Sequence, residues 1–140
     1  MSRLGRRLAF DYGDARIGVA VCDPDGILAT PLDFLVTKDP SLKASILALY
    51  NEYEPTKVYV GLPLNLSGDH SESTAKAIAF SELLSKIVEC PVDLIDERLT
   101  TSSASTSLSQ AGVSARDQRK KIDSQAAVII LECGLAQDRE

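Results

Sequence analysis

The stretch that decides the fold is Leu8–Ala20, which reads Leu-Ala-Phe-Asp-Tyr-Gly-Asp-Ala-Arg-Ile-Gly-Val-Ala. Two short runs of β-forming residues, Leu8–Tyr12 and Arg16–Cys22, flank a turn with a glycine and an aspartate, a pattern typical of a β-hairpin. Asp11 stands within the apolar first strand, where a buried carboxylate is costly unless it is paired, hydrogen-bonded or bound to a metal. Asp11 is therefore either a turn-capping residue or part of a functional site.

Composition narrows the class of protein. The 140 residues suit one compact domain, and the 44% hydrophobic and 25% charged residues are ordinary for a soluble globular protein. A net charge of −5 does not suggest a general nucleic-acid binder, although a local basic patch can act against an acidic background. Three distant cysteines indicate neither a disulfide framework nor a zinc cluster, and no apolar run approaches the roughly 20 residues of a membrane span. We therefore expect a cytoplasmic protein without a membrane partner.

The rest of the chain alternates predicted strands and helices. Ile27–Val36 is predicted as a third strand, and Pro31 within it favours an edge strand or a bulge. Apolar periodicity and Pro and Gly signals then predict a helix opened by Asp39-Pro40-Ser41 and ended by Pro55, followed by a strand at Lys57–Gly61. The next predicted elements are a helix from about Ser71 to Glu89, whose inner face carries Ala75, Ile78, Ala79, Leu83 and Ile87, and a strand at Val92–Asp96. Two helices complete the chain, one from Thr100 or Thr101 to about Ala111 and a last one at Asp123–Gln137 with Ala127, Ile130 and Leu131 on its inner side. This order favours an α/β fold in which a mixed sheet, first antiparallel and then parallel with right-handed crossovers, lies between helical layers.

Three acidic residues stand out by position. Asp11 lies in the first strand, Glu97 follows a later strand, and Asp123 opens the last helix. Strand ends and helix starts meet at one edge of an α/β sheet, and carboxylates that converge there suit Mg²⁺, alone or as a pair of ions about 4 Å apart around a phosphodiester. Other roles stay open, because Asp123 could only cap its helix, Glu97 could pair with Arg98, and Asp96 could replace Glu97 as the ligand.

Positive charge is placed near these acids. Arg16 lies in the hairpin, Arg98 follows Glu97, and a basic run with Arg116, Arg119, Lys120 and Lys121 leads to Asp123. An acidic pocket beside basic residues fits a phosphodiester substrate, although a basic run is also common as a solvated loop. No Cys–His or Ser–His–Asp set, P-loop or Gly-x-Gly-x-x-Gly motif competes with this interpretation.

Four motifs together resemble the YqgF/RuvX family, which comprises pre-16S rRNA nucleases or Holliday junction resolvases. In order, they are Asp11-Tyr12-Gly13-x-x-Arg16-Ile17-Gly18-Val19-Ala20, Gly61-Leu62-Pro63 with Gly68 downstream, Asp96-Glu97-Arg98-Leu99-Thr100-Thr101, and Asp123-x-x-Ala126-Ala127-x-x-x-Leu131. The first motif alone is weak, because sugar kinases and Hsp70-type ATPases share an Asp-x-Gly hairpin. The resemblance covers nearly the whole chain.

The resemblance implies an RNase H-like fold with a mixed five-stranded sheet, an antiparallel three-strand meander plus two parallel strands, flanked by helices. It implies a catalytic, metal-binding triad of Asp11, Glu97 and Asp123, and Mg²⁺- or Mn²⁺-dependent phosphodiester hydrolysis by a metal-activated water. The implied setting is the cytoplasm, in ribosome biogenesis or recombination. RNase H-type sites often use a fourth acidic residue, for which Asp14 and Asp69 are candidates.

The sequence therefore predicts a metal-dependent endonuclease that acts on structured nucleic acid, with the precursor of 16S rRNA as the first choice of substrate. A resolvase of four-way DNA junctions would use the same triad and needs a symmetric dimer. We expect a monomer or a weak homodimer. Two alternatives belong to other classes, a nucleotide-binding ATPase-type domain, which normally needs two such lobes, and a non-catalytic binding module.

Overall fold

A five-stranded mixed sheet lies between helices in the computed structural model, which describes residues 5–63, 72–97 and 124–139. The strands are β1 (Arg7–Tyr12), β2 (Arg16–Cys22), β3 (Ala29–Val36), β4 (Lys57–Leu62) and β5 (Val92–Asp96). The helices within these ranges are α1 (Leu42–Tyr53), α2 (Glu72–Ile87) and α3 (Gln125–Arg139). The sheet order is β3-β2-β1-β4-β5, which confirms the predicted α/β class.

Strand direction brings three strand ends to one edge of the sheet. β1, β2 and β3 form an antiparallel meander, whereas β4 pairs in parallel with both β1 and β5. We call the edge where β1, β4 and β5 end the carboxyl edge, and the edge where they begin the amino edge. Residues that follow these strands therefore meet at the carboxyl edge, although they are far apart in sequence.

Alternation along each strand separates the core into two layers. The layer under α1 and α2 contains Leu8, Phe10, Ile17, Val19, Val21, Ile46, Val58, Val60, Phe80, Leu84 and Val88. The layer under α3 contains Ala9, Ala20, Cys22, Tyr59, Ile95, Ala127, Ile130, Leu131 and Leu135. We refer to the two sides of the sheet as the α1–α2 face and the α3 face. The predicted inner side of the last helix is confirmed by the burial of its Ala127, Ile130 and Leu131.

The third strand differs from its prediction at its start. Ile27 and Leu28 are 77% and 65% exposed, and they precede β3. Their backbone N–H groups donate to Asp23 Oδ1 at 2.7 and 3.0 Å, so this carboxylate holds them in a turn instead of a strand. β3 is an edge strand, as Pro31 predicted.

The predicted inner face of α2 is wrong for two alanines. Ala75 and Ala79 are exposed, whereas Thr74, Ala77, Phe80, Ser81 and Leu84 are the buried residues of this helix. The buried stripe is set by Phe80, whose ring packs against Phe10 and Tyr12 with centroids 5.8 and 5.1 Å apart. Small alanines fit either side of a helix, so periodicity alone placed these two on the wrong side, whereas Leu83 and Ile87 of the predicted face do pack against the core.

The amino edge carries a network of charged side chains. Arg7, which is 9% exposed, bonds to the Tyr59 hydroxyl and to Asp138 near the end of α3. Lys57 Nζ lies 3.0 Å from Asp138 Oδ2 and 2.9 Å from Asp93 Oδ2. This network ties the last turn of α3 to β1, β4 and β5.

Several predictions fall outside the described residues. They are the helix from Thr100 or Thr101 to about Ala111, the basic run 116–121 and the start of the last helix at Asp123. Among the helices that are described, none has the length and apolar character needed to cross a membrane.

Candidate acidic site at the carboxyl edge

Asp11 lies one residue before the end of β1, on the α3 face of the sheet. It pairs with Gly18 of β2 and stands one residue beyond the Phe10–Val60 pair, next to Gly61 of β4. Burial raises the pKa of the Asp11 carboxyl. The carboxylate is thus flanked by a glycine on each neighbouring strand, which leaves space on this face for a second group.

Glu97 is the residue whose carboxylate fills part of that space. It directly follows β5, two residues after Ile95, which packs in the core layer under α3. A Cβ atom placed at Gly61 would lie 2.6 Å from Glu97 Oε2 and 2.5 Å from Ile130 Cδ1. The structure therefore puts Glu97, instead of Asp96, on the face that carries Asp11.

Gly61 is a site residue that the sequence analysis used only as a motif letter. Any side chain at this position would occupy the place of the Glu97 carboxylate and of the Ile130 methyl group. A glycine inside a buried strand signals close approach of another group, and that signal was available in the sequence. What the sequence could not supply is the identity of the approaching group.

The two carboxylates interact through their charges. Burial raises the pKa of Glu97 to about 7, and the charges of Asp11 and Asp96 act in the same direction. Near neutral pH the Glu97 carboxyl is therefore protonated in a substantial fraction of the molecules, whereas an ordinary glutamate would be fully ionised. A cation bound at this edge would remove the repulsion and favour the charged forms.

The third predicted acid, Asp123, lies outside the described residues, but Ser124, the next residue in the sequence, is described. Ser124 is fully buried. Its hydroxyl accepts the Val19 N–H at 3.0 Å and donates to the Leu32 carbonyl at 2.6 Å. The start of α3 is thereby fixed on β2 and β3, and Val19 neighbours the glycine that pairs with Asp11.

Of the predicted nucleic-acid-binding residues, Arg16 alone belongs to the described part of the chain. It begins β2 at the carboxyl edge, and its guanidinium lies 4.9 Å from the centre of the Phe34 ring. Arg98, Arg116, Arg119, Lys120 and Lys121 are outside the described residues.

Of the two candidates for a fourth acidic residue, only one is described, and it forms an ion pair with a lysine. Asp14 Oδ1 lies 2.8 Å from Lys76 Nζ, and the Asp14 side chain is 74% exposed. Asp69 lies outside the described residues.

The donor set at the carboxyl edge fits a hard divalent cation. Within residues 5–63, 72–97 and 124–139, no group of three or more His, Cys, Asp or Glu side chains converges on one point. The two acids that do meet offer only carboxylate oxygens, the ligand type that Mg²⁺ and Mn²⁺ prefer.

Comparison with known proteins agrees with this arrangement. The family model described as "RuvX: Holliday junction resolvase" matches residues 5–137. A provisionally named pre-16S rRNA nuclease of Streptomyces coelicolor is 50% identical over 139 residues, which cover 98% of this chain and 83% of the relative. A Mycobacterium bovis protein of the same provisional name is 51% identical over 134 residues, covering 94% of this chain and 78% of that one.

Solved structures share the fold at low identity. Thermus thermophilus RuvC in complex with a Holliday junction substrate superposes with a TM-score of 0.62 at 11% identity, covering 96% of each chain. The yeast mitochondrial Holliday junction resolvase Ydc2 gives a TM-score of 0.51 at 11% identity, covering 96% of this chain and 79% of that one. The fold is thus the RNase H-like fold of these resolvases, and the family match over nearly all of the sequence shows that the chain belongs to the RuvX family.

Proposed function

We propose that this protein is a metal-dependent endonuclease that hydrolyses phosphodiester bonds of structured RNA, most specifically in the processing of the 5′ end of pre-16S rRNA. It would act in the cytoplasm as a single-domain enzyme of ribosome biogenesis. Membership of the RuvX family and the names of relatives about 50% identical support nuclease activity. The choice of RNA rests on those names, and the chemistry rests on the acidic site.

The observation that carries the proposal is the pair of half-buried carboxylates, Asp11 and Glu97, on one face of the carboxyl edge. Placing two like charges together away from water destabilises the fold unless an opposite charge compensates them, and a bound cation can supply that charge. Bound Mg²⁺ or Mn²⁺ would neutralise the phosphate and lower the pKa of a water molecule for attack. A purely structural role would favour neutral side chains at both positions.

Each acid has a distinct part in this proposal. Asp11 would be the central ligand, because glycines on both neighbouring strands leave its carboxylate open to ligands. Glu97 would close the site from β5. Since the pKa of Glu97 is about 7, this carboxyl would lose a proton as the cation and the substrate bind. The affinity for the cation would then increase as the pH rises from about 6 to 8, because Glu97 must lose its proton to bind the ion.

Asp123 would supply the third carboxylate. The support is indirect, since Ser124 is hydrogen-bonded to Val19 of β2, the strand next to the one that carries Asp11, and to Leu32 of β3. Arg16 would hold a phosphate at the hairpin, with its guanidinium oriented by the Phe34 ring. Arg98, Arg116, Arg119, Lys120 and Lys121 would neutralise the neighbouring phosphates.

The test is cleavage of a pre-16S rRNA fragment that carries its 5′ leader, with Mg²⁺, with Mn²⁺ and with chelator. We expect cleavage only with a divalent ion, and a loss of more than about a hundredfold in Asp11→Asn, because even groups that merely support metal ligands matter about 10- to 100-fold. The matched control is Asp25→Asn, an exposed aspartate in the β2–β3 turn, which should cleave like wild type. Equal rates for Asp11→Asn and wild type would refute the proposal.

A second candidate is resolution of four-way DNA junctions. It is favoured by the description of the family and agrees with the fold shared with RuvC. The same carboxylates would act, but symmetric cutting of two strands requires a dimer. Junction DNA assayed beside the rRNA fragment, with sedimentation in the presence of each, distinguishes the two: a dimer that cuts only the junction would replace the first proposal with the second.

A further inference from the structure

A serine at the start of α3 contributes its hydroxyl to the sheet. Ser124 is fully buried, and its carbonyl accepts the Val128 N–H at 3.1 Å as the helix begins. A serine in this position commonly accepts an N–H from the first turn of its own helix. The Ser124 hydroxyl is bound to two strands, since it accepts the Val19 N–H of β2 at 3.0 Å and donates to the Leu32 carbonyl of β3 at 2.6 Å. This hydroxyl therefore links the start of the helix to the sheet.

The two strands are irregular at the point where the hydroxyl binds. Val19 and Leu32 face each other across β2 and β3, but the register shifts between Ile17 and Val19, so that Gly18 lies at a β-bulge. A bulge locally disrupts the hydrogen bonds of the ladder. A hydroxyl can serve one N–H and one carbonyl at the same time, because its oxygen accepts and its hydrogen is donated. Ser124 thus bridges the two strands at the bulge.

The bulge lies beside the acidic site. Gly18 pairs with Asp11, which places the bulge on the β2 side of that carboxylate. On the β4 side lies Gly61, where an added Cβ atom would be 2.5 Å from Ile130 Cδ1 of α3. The helix is therefore held on both sides of β1, by the Ser124 hydroxyl at β2 and by the Ile130 methyl group at β4.

The carboxylate proposed to complete the site belongs to Asp123, the residue before this anchor. Consecutive Cα atoms are about 3.8 Å apart across a trans peptide, so the position of Ser124 limits where that carboxylate can lie. Groups of a functional site must be held within about 0.5 Å of their productive geometry. Without the hydroxyl, the Val19 N–H and the Leu32 carbonyl would lose a buried partner, and α3 would lose its bond to this point of the sheet.

From these contacts we infer that Ser124 is a positioning residue for the third carboxylate of the cation site, acting through the bulge between β2 and β3. The inference rests on the proposed function, which assigns Asp123 to that site. Ser124 touches neither the cation nor the substrate in this assignment, and it fixes the start of α3 relative to Asp11. Its loss therefore weakens cation binding in a protein that is still folded.

The test compares Ser124→Ala with a buried serine whose hydroxyl bonds within its own helix. The matched control is Ser81→Ala, because Ser81 lies in α2 on the other face of the sheet and donates to the Ile78 carbonyl at 2.7 Å. Ser124→Cys keeps the size of the side chain with weaker hydrogen bonds, and it replaces Ser124→Ala if that variant does not fold. Mn²⁺ binding is measured by titration calorimetry, at a temperature where circular dichroism shows each protein folded.

We expect Ser124→Ala to raise the Kd for Mn²⁺ about tenfold or more, the effect of removing a group that supports a metal ligand. Ser124→Cys should lie between this variant and wild type, and Ser81→Ala should bind like wild type. In cleavage of the pre-16S rRNA fragment, the Mn²⁺ concentration for half-maximal rate should rise in the same order. The rate at saturating Mn²⁺ should change less, because the ion itself then holds the carboxylates in place.

A double variant shows whether the effect passes through Asp123. Asp123→Asn should itself weaken Mn²⁺ binding, and adding Ser124→Ala should weaken it no further, because the carboxylate that Ser124 positions is gone. A hydroxyl that only stabilises the fold would change the affinity by the same factor in both backgrounds.

Several outcomes overturn the inference. An unchanged Mn²⁺ affinity in the folded Ser124 variant would do so, as would an equal loss in Ser81→Ala or an equal factor in the Asp123→Asn background. The endonuclease proposal would survive all three if wild type cuts the RNA with the ion. If wild type bound Mn²⁺ but cut no RNA, the proposed function would fail, while the affinities would still decide the role of Ser124. If wild type bound no Mn²⁺, both would fail.

Discussion

At the carboxyl edge of the sheet Asp11 and Glu97 lie beside each other, whereas at the amino edge Asp138 lies between Arg7 and Lys57. Burial and neighbouring negative charge raise the pKa of Glu97. Burial also acts to raise the pKa of Asp138, but hydrogen bonds from Tyr59 and Lys57 and the nearby cations lower it overall. One sheet thus holds carboxylates in opposite electrostatic settings at its two edges.

The two edges of the sheet differ in whether their carboxylates stabilise the folded protein. Asp138 is compensated by groups of this chain, so its charge favours the folded state. Asp11 and Glu97 are held together at a cost in free energy, and under the proposed function a bound cation and substrate would compensate their charges. A site of this kind lowers the free energy of unfolding of the free protein, and ligand binding raises it again.

The largest expected contrast comes from neutralising one aspartate at each edge. Asp138→Asn should destabilise the protein by about 2 kcal/mol, since it leaves the mostly buried Arg7 guanidinium without its carboxylate partner, whereas Lys57 keeps Asp93. Asp11→Asn should leave stability unchanged or raised in chelator, because it removes a buried charge. Denaturant unfolding of both variants without metal measures the two effects.

Activity provides the reverse contrast. Asp138→Asn should keep the cleavage rate of wild type at a temperature where it is folded, and Asp11→Asn should lose it. A loss of activity in a folded Asp138→Asn protein would contradict the separation of the two edges.

A smaller contrast comes from two glycine substitutions. Gly61→Ala should cost about 1–3 kcal/mol by overpacking and lower cleavage by about a hundredfold, because the added Cβ displaces the Glu97 carboxylate. Gly26→Ala, in the β2–β3 turn with φ of +70°, should cost about 1–2 kcal/mol through backbone strain and leave cleavage intact. Melting curves and cleavage rates of both variants, compared at equal fraction folded, test this. Equal loss of activity in the two would show that stability alone matters.

The smallest contrast is in the pH dependence of stability. The pKa of Glu97 is raised from 4.5 to about 7 on folding, so its contribution is fully present below pH 4.5 and lost as pH rises through 7. The pKa of Asp138 is lowered, so its contribution is present above the ordinary value of 3.8 and lost only at more acid pH. From pH 5 to 8 in chelator, the melting temperature should therefore fall in wild type and fall less in Glu97→Gln. An identical slope in both proteins would exclude Glu97 as the cause.

The sequence was sufficient for the sheet and for singling out one acid of the candidate site. The hairpin, the edge position set by Pro31 and the strand Val92–Asp96 follow from local rules of alternation and turn chemistry, which act within a few residues. Asp11 was identifiable because a charged residue interrupts an apolar strand. These features depend on neighbours in the sequence, which is why they could be predicted.

Features that depend on distant contacts could not be predicted from the residues. The choice between Asp96 and Glu97 needed the face that α3 covers, and that became clear only from the contact at Gly61. The Arg7–Asp138 pair joins residues 131 positions apart, and nothing in either local pattern indicates it. Ala79 was predicted on the inner face of α2, but the packing of Phe80 against Phe10 and Tyr12 turns it toward the surface.

The parallel pairing of β1 with β4 and of β4 with β5 has a consequence during synthesis of the protein. Asp11 leaves the ribosome early, but its acidic partner belongs to β5, which is made after more than half of the chain. The nascent chain can therefore form the hairpin long before Glu97 is available, and the two carboxylates can meet only when translation is well advanced. Under the proposed function, an incomplete polypeptide would then be unable to cut RNA close to the ribosome that is making it.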